Sequence, residues 1–180
     1  MVGHTESATG IATPGAYQET YGGGSRDAFI VKFNTAGERQ WGTYYGGGDE
    51  DLAISATADG SGNIYVTGWT ASTSGIATTG AYQTVFGGSM DAFLVKFNSS
   101  GTRSWGTYYG GTGSEQASSV TLDDDGNILV TGGTTSTSYI ATTSGYQNTY
   151  GGGSNDGFVV KFNNNGVRQS ASYYGASGLD

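Results

Sequence analysis

Short apolar runs separated by glycine and small polar residues make up this chain from end to end. The clearest run, Asp27-Ala28-Phe29-Ile30-Val31-Lys32-Phe33-Asn34, has the length and the β-branched and aromatic content of a strand. It returns as Asp91-Ala92-Phe93-Leu94-Val95-Lys96-Phe97-Asn98 and as Asp156-Gly157-Phe158-Val159-Val160-Lys161-Phe162-Asn163, a period of 64 and then 65 residues. A fixed long period means one supersecondary unit repeated. The units run over about 11–75, 76–139 and a partial 140–180, with residues 1–10 as the tail of a preceding one.

Each unit predicts two hairpins. The first runs from Asp27 to Gly46 and turns at Asn34-Thr35-Ala36-Gly37, repeated as Asn98-Ser99-Ser100-Gly101 and Asn163-Asn164-Asn165-Gly166. Asn first and Gly last fit a type I turn closed by a left-handed glycine. That register sets Phe33 opposite Arg39 and Val31 opposite Trp41. It gathers Phe29, Val31, Phe33, Trp41, Thr43 and Tyr45 on one face, with the guanidinium over Phe33. The second hairpin, Leu52 to Trp69, turns at Asp59-Gly60-Ser61-Gly62-Asn63. Its copy, Gln116 to Gly133, pairs Leu122 with Ile128 and Val120 with Val130. Between hairpins lies a long loop, where Thr13 before Pro14 predicts one short helical turn.

Four antiparallel strands per repeat, with no helix between them, is the blade of a β-propeller. The expected fold is therefore all-β, an open segment of about two and a half blades. Leu52–Trp69 and Asp91–Gly110 form one blade, and Gln116–Gly133 with Asp156–Gly175 a second. Asp27–Gly46 is expected without an inner partner, and Leu179-Asp180 to begin another strand. Because the pattern begins and stops in mid-unit, we expect a longer parent chain, or several copies completing one another.

Three motifs resemble those of the bacterial SBBP-type β-propeller repeats. They are Gly-Gly-Ser-x-Asp-Ala-Phe-x-Val-Lys-Phe-Asn-x-x-Gly, then Trp-x-x-Tyr-Tyr-Gly-Gly, then Asp-x-x-Gly-Asn-Ile-x-Val-Thr-Gly. The resemblance spans nearly the whole chain and implies a secreted or surface-exposed propeller without a shared catalytic residue. The third copy departs from it, with Ser170 where the others carry Trp41 and Trp105, so its outer hairpin is expected to pack less well.

Composition narrows the function. Glycine contributes 34 residues, proline 1, and aromatics 13%, which suits tightly turned β-structure. A net charge of −8 argues against nucleic acid and anionic membrane as partners. Six of the 7 basic residues (Lys32, Lys96, Lys161, Arg39, Arg103 and Arg168) occupy equivalent repeat positions, and so belong to the scaffold. No cysteine is present for a disulfide or a thiolate metal site, and no run is long enough for a spanning helix.

Several residues invite chemistry. Asp123, Asp124 and Asp125 form an acidic turn that a calcium ion could use, although turn formation already accounts for Asp and Asn around glycine. Asp49-Glu50-Asp51 is similar. No acidic pair recurs in a setting expected to desolvate one member, as glycosidase chemistry needs. Asp27, Asp91 and Asp156 read as backbone acceptors at a strand start, and His4 as an exposed side chain. Tyr17, Tyr82 and Tyr146, followed by Tyr21, Phe86 and Tyr150, could line a sugar-binding surface, but their recurrence favours pinning each loop to its own blade. Trp69, absent from equivalent positions, is the better individual contact. The expected function is a non-enzymatic extracellular or cell-surface scaffold, adhesion or assembly element, requiring no cofactor and partnered by its own copies or adjoining blades. The alternative is a carbohydrate-binding propeller.

Overall fold

The structure, a computed structural model, describes residues 1–178 and 180. It is all-β, with no helix among the described residues. Eleven strands follow in chain order: β1 (Val2–Thr5), β2 (Asp27–Phe33), β3 (Arg39–Tyr45), β4 (Asp51–Ala58), β5 (Ile64–Thr70), β6 (Asp91–Phe97), β7 (Arg103–Tyr109), β8 (Glu115–Leu122), β9 (Ile128–Thr134), β10 (Asp156–Phe162) and β11 (Arg168–Tyr174). They form three antiparallel sheets ordered β1-β2-β3, β4-β5-β6-β7 and β8-β9-β10-β11. Each sheet is a plain meander, so the second and third combine the hairpins grouped from the repeat. The first also has a third strand, because β1 pairs with β2 through Gly3 and Phe29, as Gly68 pairs with Phe93. The strand expected to start at Leu179-Asp180 involves Leu179, which lies outside the described residues.

Turn chemistry sets the register, with one correction. The Gly37 amide donates to Asn34 O at 3.0 Å with Gly37 at φ 80°, and Phe33 lies opposite Arg39 as expected. Beyond that pair the ladder shifts, and Gln40 is left without a partner. Trp41 then faces Lys32, and Val31 faces Gly42. The bulge turns Trp41, Thr43 and Tyr45 to the side of Ala28 and Ile30, away from Phe29 and Val31. The same shift follows Phe97 and Phe162. In the other hairpin Leu122–Ile128 and Val120–Val130 pair as the sequence predicts.

Successive sheets pack face to face. Ala28, Ile30, Trp41 and Tyr45 of the first meet Val66, Phe93, Val95, Phe97 and Tyr108 of the second. Tyr65, Ala92, Leu94 and Tyr109 on the opposite side of the second meet Val130, Phe158, Val160, Phe162 and Tyr173 of the third. Strand β6 is consequently buried on both sides and reads as a continuous apolar run, whereas β10, covered on one side only, alternates between buried and half-buried.

No helical turn forms at Pro14. The Ala16 amide closes a tight turn on Thr13 O at 3.0 Å, and the Thr13 hydroxyl is drawn to the Gly42 backbone instead of capping a helix. The loop is held by the strand beneath it, with Thr13 N donating to Gly42 O and Tyr44 N to Gln18 O.

Candidate functional site

Two of the aromatic loop residues, Tyr17 and Tyr82, lie in the junctions between units. Tyr17 packs edge-on against Phe97 with ring centroids 5.8 Å apart, and Arg103 covers its ring at 4.4 Å. Tyr82 repeats this with Phe162 at 5.7 Å and Arg168 at 4.6 Å. The guanidinium thus covers a tyrosine of the preceding unit, not the phenylalanine of its own hairpin. Pinning to the home sheet, expected for all six rings, holds for all of them: Tyr21, Phe86 and Tyr150 pack edge-on against Tyr44, Tyr108 and Tyr173, and Tyr17, Tyr82 and Tyr146 lie tilted against Tyr45, Tyr109 and Tyr174. Tyr146 meets no further sheet among the described residues and is 88% exposed.

The other recurrent side chains are used in the same way. Tyr45 Oη donates to Ile76 O at 2.9 Å and Tyr109 Oη to Ile140 O at 2.8 Å, each reaching into the next unit. Burial raises both phenols, with Arg103 and Arg168 opposing it, so they stay neutral donors. Lys32 Nζ donates to Ser99 O at 2.8 Å, and the indoles of Trp41 and Trp105 donate to Ser99 O and Asn164 O, both at 3.2 Å. Tryptophan therefore serves the junction with the following unit, and β10 and β11, with Ser170 in its place, keep the register of the other two hairpins.

Carboxylates hold the opposite strand ends, and here the sequence reading needs correction: acidic pairs do recur in desolvated settings. Asp27, Asp51, Asp91, Glu115 and Asp156 are all fully buried. A Cβ at Gly110 would lie 2.7 Å from Asp91 Oδ1 and 2.5 Å from Glu115 Oε2, so the two carboxylates converge on one glycine. Asp51 accepts from Thr70 Oγ1, from Ser72 Oγ at 2.8 Å and from Gly47 N at 2.8 Å. Glu115 takes equivalent bonds from Thr134 Oγ1 and Gly111 N. Asp27 and Asp156 accept from Gly22 N and Gly151 N at 2.5 Å, and Asp91 from Gly87 N at 2.9 Å, the backbone-acceptor role expected of them. Oδ1 of Asp27 and of Asp156 is buried without a donor. Burial pushes Asp51 and Asp91 up to about 6 and raises Asp27. Sequence spacing hid these pairs because their members lie on different strands.

The acidic turn at β8–β9 is occupied by protein groups. Asp123 Oδ1 accepts from Asn127 N at 2.8 Å and Asp125 N at 3.1 Å, while Oδ2 pairs with Lys161 Nζ at 2.7 Å. The bonds from Lys161 and Asn127 hold its carboxyl down at about 2. Asp124 and Asp125 point to solvent. Among the described residues no group of three His, Cys, Asp or Glu side chains is placed to hold a metal ion. Asp49 is exposed, Glu50 is bound to Arg26 at 2.7 Å, and His4 is exposed.

Tyr17 lines one open cleft, of about 500 Å³, together with Trp41 and Arg103, and Trp69 faces another. About 470 Å³ in volume, the cleft at Trp69 lies between the second and third sheets and is lined by Ile54, Trp69, Gln116, Ser118, Thr135 and Asn155, among others. Where Trp69 stands, the next unit has Gly133, and the Asn155 side chain occupies the space a Cβ there would need, at 2.6 Å. One aromatic ring, an isoleucine, two amides and several hydroxyls thus share one wall, and none of the buried carboxylates lines it.

No protein-family model and no curated protein matches the chain.

Proposed function

We propose that the chain is a non-enzymatic β-propeller segment of the SBBP-repeat type, its sheets fanning about a common axis as blades. It serves as a scaffold, adhesion or assembly element on the outside of a bacterial cell. One observation carries this reading: at both junctions between sheets, the repeated side chains are engaged in binding one unit to the next. Tyrosine, arginine, lysine and tryptophan link successive sheets, while the recurrent aspartates tie strand ends to their loops. A repeat selected for chemistry would hold some polar groups free and facing solvent. The buried acid pairs fit a structural role, since amide and hydroxyl donors bind Asp51, Asp91 and Glu115 and none of the acids lines the cleft at Trp69. Scarce lysine, no cysteine and abundant Gly, Thr and Tyr suit a durable exterior structure.

The cleft at Trp69 favours a second reading, carbohydrate binding, because an aromatic face beside amides and hydroxyls matches the alternating C–H and O–H surfaces of a sugar. A glycan array probed with the folded chain separates the two. The scaffold reading expects no retained signal. A signal abolished by Trp69→Ala and kept by Tyr82→Ala would establish the cleft as a sugar site.

A further inference from the structure

The two ends of the stack are complementary to one another. On the outer face of the third sheet, Tyr174 is 72% and Tyr146 88% exposed, whereas the residues equivalent to Tyr174, Tyr45 and Tyr109, are 0% and 2% exposed. On the outer face of the first sheet Phe33 is 44% exposed, whereas Phe97 and Phe162 are both fully buried. Their equivalents are covered by a neighbouring sheet, and among the described residues these are not.

Most of the partners that a junction uses are present on one end or the other. At the two internal junctions, the donor sheet supplies a tyrosine hydroxyl, a loop tyrosine and an apolar strand face. The acceptor supplies two phenylalanines, an arginine and an isoleucine carbonyl. The third sheet keeps Tyr174 and Tyr146 beside a shallow depression walled by Leu129 and Val159. The first keeps Phe29, Phe33 and Arg39, with Arg39 Nη1 already bonded to Ile11 O at 3.3 Å as Arg103 Nη1 is to Ile76 O at 3.0 Å.

We infer that the third sheet of one chain docks on the first sheet of a second copy, repeating the internal junction. The tyrosine hydroxyl of Tyr174 then donates to Ile11 O of the second copy, and Tyr146 lies between its Phe33 and Arg39. The docking rests on the scaffold reading and names the occupant of its end faces. It is heterologous, so it builds a ring where the rotation closes and a filament where it does not. Three differences make it weaker than an internal junction. The first sheet has three strands and offers no counterpart of β8, which packs on β4 and β5 at the second internal junction. Ser170 cannot cover Gly37 as Trp41 covers Gly101, and Lys161 is held by Asp123 in place of reaching a following turn.

The test is mass by light scattering between about 1 μM and 1 mM chain. The intact protein is expected to gain mass with concentration. Phe33→Arg and Tyr174→Arg, each disabling one end, are expected to be monomers alone and a 1:1 dimer when mixed, because only one complementary pair of faces remains. Ser170→Trp is expected to lower the concentration of half-association about tenfold. Should either arginine variant fail to fold, the exposed pair Arg39→Glu and Tyr146→Asp repeats the experiment. A wild-type monomer throughout would overturn the inference, as would association surviving in both single variants, which signals edge-to-edge pairing. An unchanged profile for Ser170→Trp would overturn the register. None of these outcomes alters the glycan-array result, so failure here stays distinct from failure of the scaffold reading.

Discussion

The indole of Trp41 lies over Gly101 of the next unit so closely that a Cβ at Gly101 would come within 2.8 Å of the ring. Gly101 has φ 87°, so the turn requires glycine for its backbone and for the ring above it. Trp105 over Gly166 is the same arrangement, with 3.1 Å. Trp41→Ala is therefore expected to cost about 3 kcal/mol, since it removes a largely buried indole and its bond to Ser99 O. Ser170→Ala should change stability by less than about 0.5 kcal/mol. Urea unfolding of both variants checks the difference.

Phe93 sits at the centre of the first junction, fully buried and 5.2 Å from the Tyr45 ring. Phe93→Ala should lower the unfolding free energy by about 3–5 kcal/mol. An unchanged melting temperature would contradict the packing described.

Glycine at position 68 answers to backbone crowding. A Cβ there would meet Leu52 O at 1.8 Å, beside the shift in register between Ala53 and Ser55. Gly68→Ala is expected to destabilise by roughly 3 kcal/mol or a little less, the upper end for overpacking. Gly60→Ala, with nothing within 4 Å, should be silent in the same thermal melt.

The buried acids predict an inverted pH dependence. Burial, with Glu115 adding to it and amide donors opposing it, pushes Asp91 up to about 6, and burial does the same for Asp51. In the unfolded chain each titrates near about 3.9. The folded state holds the proton more tightly, so this contribution favours folding fully below about pH 4 and is lost as the pH rises through about 6. Calorimetry should show a melting temperature falling over that window. Asp91→Asn, whose amide can donate toward Glu115 Oε2, should flatten the fall. A slope unchanged in Asp91→Asn would assign the dependence to other groups.

Local signals carried much of this architecture. The 64- and 65-residue period and the Asn-x-x-Gly turns placed the hairpins, because turn geometry is decided within a few residues. The Val31–Trp41 pairing was illegible because the extra residue at Gln40 leaves no local signature. The acid pairs were hidden for a different reason: Asp91 and Glu115 meet only once β6 and β8 have been folded onto neighbouring sheets. The arginine partner was misread within one hairpin because recurrence reveals that a residue matters to the repeat, and is silent on which copy it touches. Trp69 was legible as an exception to the repeat, and the cleft it lines is where the pattern breaks.

Tyr82 and Tyr146 hold the same place in consecutive units, but among the described residues only Tyr82 meets a following sheet, with Arg168 above its ring and Phe162 at its edge. Comparing the unfolding free energies of Tyr82→Ala and Tyr146→Ala, at a concentration where the chain is monomeric, tests most directly whether these recurrent side chains exist to join units. The interlocked stack predicts a loss of about 2 kcal/mol for Tyr82→Ala and less than about 0.5 kcal/mol for Tyr146→Ala. Equal losses, or none in either variant, would contradict it.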